Sequence, residues 1–172
     1  TDQALTVRLL RLSNAAEQAR LSPVSTVKQA IVVLGFRAVR AAALSSSVMG
    51  SMRRYTSTAV DGLWERSYAM APASRLLAIR LGMTEPEEAF VLGLVQNMGQ
   101  IILQVKAPKA YLSVYEQLHD PQVGLIEAEN RVLGVSHQEV GYLLARRWRL
   151  PELITQIVFR HHDPENAGKF KH

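Results

Sequence analysis

The stretch Thr84-Glu85-Pro86-Glu87-Glu88-Ala89-Phe90-Val91-Leu92-Gly93-Leu94-Val95-Gln96-Asn97-Met98-Gly99-Gln100-Ile101-Ile102 decides the fold class. Phe90, Val91, Leu94, Val95, Met98, Ile101 and Ile102 recur at spacings of three and four, which is the period of a helix and not of a strand. They form a wide apolar stripe, so the spacing predicts a single central helix. Thr84 and Glu87 stand at capping-box spacing, with Pro86 tolerated in the first turn.

The same signals extend outward in both directions. Upstream, Asp61 is a plausible N-cap for a helix over 63–81, which Gly82 closes. The polar stretch from Gly50 to Gly62 is the best loop candidate, and Phe36 to Val48 reads as an alanine-rich helix after Gly35. Thr26 with Gln29 gives a second capping box before Ala30, Ile31, Val33 and Leu34. Leu5, Leu9, Leu10 and Leu12 mark a first helix. Downstream, Pro108 opens a helix that ends near Asp120-Pro121, and Glu127 to Leu133 forms another, stopped at Gly134. Ser136 and Glu139 make a third box before Val140, Leu143 and Leu144. Pro151 starts the last helix, with Leu153, Ile154, Ile157 and Val158 on one face. No segment alternates like a strand, and no repeat stands out. The expected fold class is all-α: a single-domain bundle of six to nine helices over 1–164, with a fraying tail at 165–172.

Composition narrows the chemistry. The chain has 172 residues, of which 48% are hydrophobic and 20% charged, as in ordinary globular domains. It has no cysteine, which removes disulfides and thiolate chemistry and suits a reducing, cytoplasmic setting. No apolar run reaches the roughly 20 residues that span a bilayer. Net charge is +5, which admits an anionic partner but also fits arginines scattered over helix surfaces. No phosphate-binding glycine loop and no nucleophile elbow occurs. Ser45, Ser46 and Ser47 lie among small residues and suit close packing rather than nucleophilic attack. Trp64 and Trp148 read as core or rim anchors.

Five segments in order resemble the HDOD (HD-related output domain) family. Leu5 to Asn14 is similar to its opening LTxRLLRLAN, and Val24 to Phe36 to its xSSVxQAIxLLGF. Leu63-Trp64-Glu65-Arg66-Ser67 is like LWxHS, and Glu87 to Val95 is like the start of EEAFxAGLLHDIG. Gly134 to Gly141, Trp148, Leu150-Pro151 and His161-His162 match GxxHxEVG, WxLP and HH. The resemblance runs from Leu5 to Pro164 and implies an all-α bundle of HD-like type with a role in bacterial signal transduction. The family usually begins one or two helices earlier. The chain, opening on Thr1, is therefore expected to lack those helices and to expose apolar surface around Leu9 and Leu12.

In the wider HD superfamily, histidines, a His-Asp pair and a distal aspartate hold metal ions that activate water against phosphate esters. By the resemblance, the first histidine falls on Arg66, the pair on Gln96-Asn97, and the usual lysine on Gln100. A guanidinium has no lone pair to offer, and amides are weak neutral ligands that cannot act as a base. No enzyme activity, metal or other cofactor is therefore expected.

Of the remaining donors, His137 follows the Ser136 cap, where a histidine is usually solvated. His161 and His162 sit at a helix end, where an imidazolium suits the dipole, as does His119. Arg66, Gln96, Asn97, His137, His161 and His162 together outline a vestigial pocket, with Arg66 either meeting an anion or paired to Glu139 or Asp163. The expected function is a non-catalytic output or adaptor domain that binds a signalling protein or small anionic ligand, with self-association possible and no membrane role. Two alternatives stay open. One is a residual metal-dependent phosphohydrolase. The other is a nucleic-acid-binding regulator using Arg37, Arg40, Arg53, Arg54, Arg146, Arg147 and Arg149.

Overall fold

A computed structural model describes residues 3–16, 23–52, 54–55, 57–163 and 165. They form ten α-helices: α1 (Gln3–Ala16), α2 (Val27–Leu34), α3 (Phe36–Met52), α4 (Asp61–Arg80), α5 (Pro86–Val95), α6 (Met98–Lys106), α7 (Pro108–Gln117), α8 (Leu125–Leu133), α9 (His137–Arg147) and α10 (Glu152–Arg160). A short 3-10 turn, Thr58–Val60, leads into α4, and no strand occurs among the described residues. The count exceeds the expected six to nine because the central stripe is two helices. Gln96 keeps helical angles, but Asn97, at φ −96° and ψ 14°, leaves the helical region and separates α5 from α6. The apolar period runs through the break because Val91, Leu94, Val95, Met98 and Ile101 all feed one core.

Local chemistry explains several of the helix ends. At Thr26 and Ser136 both halves of the capping box form, so two backbone donors are satisfied at each helix start. Thr84 does not cap. Pro86 takes the first helical position, so Glu85 becomes the N-cap, with no side-chain cap bond, and the Thr84 carbonyl accepts from Arg37 instead. The expected 50–62 loop is shorter, because α3 continues to Met52 and α4 begins at Asp61, one residue after its cap Val60. Gly82 (φ 67°) and Gly134 (φ 70°) adopt the left-handed conformation that ends α4 and α8.

The main core joins α3, α4, α5, α6, α9 and α10 through Val48, Leu63, Val91, Val95, Ile101, Ala145, Ile154 and Val158. Each fully buried large aliphatic here contributes roughly 1.5–3 kcal/mol. A second cluster, Leu103, Tyr111, Val114 and Ala128, seats α7 and α8 against α6. The crossing of α6 over α9 depends on two glycines. A Cβ on Gly99 would come within 2.0 Å of the His137 carbonyl oxygen, and Gly141 approaches Gly99 backbone to backbone. This contact fixes the start of α9, and with it His137, against the core.

Leu9 is buried (2% exposed), in a small cluster with Val24 and Ala30, contrary to the expected exposure. Apolar surface at this end comes from Val7 (51% exposed), Val32 (75%) and Phe36 (68%). The Leu12 side chain and nearly all of the expected 165–172 tail lie outside the described residues. No single described helix is long and apolar enough to cross a membrane.

Candidate histidine site

Three histidines meet where the start of α9 packs beside the end of α10. His137 is the first residue of α9, positioned by the Ser136 box. His161 and His162 directly follow α10. His137 Nε2 lies 3.2 Å from His161 Nε2. The ring centroids are 5.2 Å apart for His137 and His161, 5.0 Å for His137 and His162, and 4.3 Å for His161 and His162. His137 is fully buried, His161 partly buried and His162 exposed, so the cluster forms a graded path from core to solvent. The expectation of a solvated His137 fails because α8 covers it and supplies a partner.

That partner is Glu129, a fully buried carboxylate in the middle of α8. Its Oε2 accepts from the His137 backbone N–H at 2.8 Å and faces His137 Nδ1 at 2.6 Å. Its Oε1 accepts from the buried Tyr111 hydroxyl at 2.6 Å. Burial alone would raise the Glu129 carboxyl, but bonds from the His137 ring, Tyr111 and the His137 backbone outweigh it and hold the group below its ordinary value. Burial pushes the Tyr111 phenol well up, and its bond to Glu129 adds to this, so the phenol stays protonated and donates. On the outer side, His161 Nδ1 sits 2.9 Å from the Val158 carbonyl. Burial pushes the His161 imidazole down to about 4, against the Val158 contact, which favours its charged form. Burial likewise lowers His162.

The structure therefore contains a buried relay, Tyr111–Glu129–His137–His161, whose first two members sequence reasoning missed. A signal for Glu129 was present. It stands three residues after Ile126 and four after Leu125, on the apolar face of α8, where an unpaired carboxylate would be expensive.

Among the described residues no hydrogen bond or ion pair joins the other expected pocket residues to the three histidines. Arg66 is exposed on α4, and among the described residues no hydrogen bond or ion pair ties it to Glu139 or the histidines. The Glu139 carboxylate is occupied by the Ser136 box. Asn97 and Gln100 are buried and Gln96 is half-buried, at the turn between α5 and α6. Gln100 contacts the Tyr111 phenol, so it belongs to the relay's inner end. As a donor set for a hydrolytic metal, an exposed guanidinium and two amides do not fit, and the three clustered imidazoles bring no anionic ligand.

The basic residues are also partly committed. Arg37 pairs with Glu85 at 2.6 Å, Arg40 with Glu88, and Arg75 with Glu87 at 2.7 Å, so the first turn of α5 and its N-cap draw three arginines into ion pairs. Arg146 lies over the Tyr142 ring on the same helix.

Comparison with known proteins agrees with this architecture. The HDOD domain family profile matches residues 1–164. A solved HDOD domain protein of unknown function from Geobacter sulfurreducens is 29% identical with a TM-score of 0.72, over 96% of this chain and 56% of that one. A candidate phosphohydrolase from Shewanella amazonensis SB2B is 26% identical with a TM-score of 0.77, over 99% and 60%. The MmoQ response regulator from Methylococcus capsulatus is 29% identical with a TM-score of 0.51, over 98% and 68%. The chain thus spans little more than half the length of the first two.

Proposed function

The chain belongs to the HDOD family, and from that premise we propose that it is a signalling output domain that works by binding a partner and not by hydrolysing phosphate esters. The observation that carries this reading is the turn between α5 and α6. There the superfamily's His-Asp pair corresponds, by the family resemblance, to Gln96 and the buried Asn97. Hydrolysis of a phosphodiester by bound metal needs anionic ligands to concentrate cations and a base to deprotonate water. Two amides supply neither. Glu129, the buried carboxylate nearest the histidines, has both oxygens engaged by Tyr111 and His137. The likeness to a response regulator supports the signalling part of this reading.

Binding at the histidine end would use the gradient from buried His137 to exposed His162, with ring N–H groups as donors to a signalling protein or small anion. The test is turnover. Purified protein supplied with manganese, iron or zinc is incubated with a generic phosphodiester and with cyclic dinucleotides. The expected rate equals that of the metal blank. A metal-dependent rate that disappears in His137→Ala would overturn the proposal.

A further inference from the structure

A partly enclosed cavity of about 150 Å³ lies between α3, α5 and the start of α10, and no histidine lines it. Ala41, Leu44, Val91, Leu153 and Ile154 give it an apolar wall. Ala41, Val91 and Ile154 are buried, whereas Arg37 and Arg40 are exposed, so charge gathers at the mouth with apolar surface behind it. An apolar cavity of this volume accepts a body the size of one benzene ring.

The mouth is not electrically balanced. Glu85, Glu87 and Glu88 line it beside two guanidiniums, and Arg75, the partner of Glu87, lies outside the lining. An excess carboxylate in a cleft with low-dielectric walls favours a cation. Glu85 is also only half satisfied. Arg37 takes its Oε1 at 2.6 Å, while Oε2 is shut off from solvent and has no hydrogen-bond partner. Such an oxygen has lost its water without a replacement, and a donor that reaches it recovers that cost. The last torsion of a glutamate is broad and two-fold, so Oε2 can turn to an arriving donor while α5 stays in place.

We propose that this cavity is a binding site for a small organic amine, with an apolar ring or branched chain against Leu44, Val91 and Leu153 and a protonated nitrogen donating to Glu85 Oε2. A neutral alcohol of the same shape brings a weaker donor, because hydrogen bonds between ions are roughly twice as strong as neutral ones. An anion meets the excess carboxylate. Arg37 and Arg40 keep their partners on Glu85 Oε1 and Glu88. The amine would join α3, α5 and α10, three helices of the main core, so its binding also stabilises the fold by mass action.

This site shares no residue with the histidine end, so it goes beyond the binding role proposed above. A metal-dependent rate in the turnover test would overturn that role and leave the amine site standing.

The probe is benzylamine, with benzyl alcohol and benzoate as its neutral and anionic comparisons, followed by methyl NMR at pH 7.5 and constant ionic strength. Benzylamine should shift the methyl signals of Leu44, Val91, Leu153 and Ile154 saturably. Benzyl alcohol should bind at least about tenfold more weakly, and benzoate should leave the signals in place. Glu85→Gln should weaken benzylamine at least about tenfold and leave the alcohol unchanged. Leu44→Trp, if folded, fills the cavity and should remove both. His162→Ala should change nothing. No saturable shift at these methyls, shifts confined to other residues, equal binding of amine and alcohol, or benzylamine binding that survives intact in Glu85→Gln would each overturn the site.

Discussion

Tyr111→Phe removes one oxygen from the buried relay and leaves the ring in place. Tyr111 is 2% exposed, and its hydroxyl donates to Glu129 Oε1 at 2.6 Å. Phenylalanine fills nearly the same volume, so no cavity term enters, and the lost bond dominates. A hydrogen bond to a charged acceptor contributes about 1.5–3 kcal/mol, and here the carboxylate is buried and cannot recruit bulk water in its place. In a domain of this size each kcal/mol moves the melting temperature by about 2–4 °C, so the expected drop is about 3–12 °C.

The assay is thermal unfolding followed at the helical circular dichroism band, at pH 7.5, beside the parent protein. Acid unfolding provides a second readout. Glu129 has a depressed folded-state pKa, so its contribution is full above the unfolded value near 4.5 and is lost as pH falls through the folded value. Without the Tyr111 bond the carboxyl is less depressed, and the variant should unfold at higher pH. A melting temperature within 1 °C of the parent, with the same acid midpoint, would refute the view that Tyr111 braces Glu129.

Three further outcomes are expected. Gly99→Ala places a Cβ 2.0 Å from the His137 carbonyl oxygen, so it should cost at least the roughly 1–3 kcal/mol of an overpacked site, read by urea unfolding. Its stability matching the parent would mean that α6 and α9 do not cross as described. Stability should also fall in mild acid, because His161 is held down to about 4 while the unfolded chain protonates near 6.5. The loss therefore begins as pH drops below 6.5 and grows toward 4, with His137, His162, Glu129 and the Val158 carbonyl facing the ring. A flat melting temperature from pH 7.5 to 5 would contradict it. Finally, Arg66→Met should shift melting by less than about 2 °C, because the side chain is exposed. A large loss would restore Arg66 to a buried pairing.

The sequence exposes whatever depends on neighbours along one helix. The boxes at Thr26 and Ser136 involve residues three apart, and both form. Thr84 had the same spacing, but Pro86 shifts the cap to Glu85, so the local pattern was outcompeted by another local rule. The break at Asn97 escaped notice because hydrophobic period records burial and not axis direction, and both α5 and α6 bury residues in the same core. The histidine site was half legible. His137, His161 and His162 could be picked out, but their surroundings could not. Glu129 reaches His137 across a helix boundary, and Tyr111 reaches Glu129 from a third helix 18 positions away. Those contacts follow from packing of α7, α8 and α9, which no local pattern encodes. Arg66 shows the converse: a position matched by motif turns out to face solvent.

The Glu129 carboxylate and the Val158 carbonyl each present an acceptor to an imidazole Nδ1, so His137 and His161 both carry a proton there. Long-range nitrogen–proton correlation spectra of the imidazoles in chelator-treated protein at pH 7.5 read this directly. The expected spectra show a proton on Nδ1 of both His137 and His161. An unprotonated Nδ1 on either ring would contradict it.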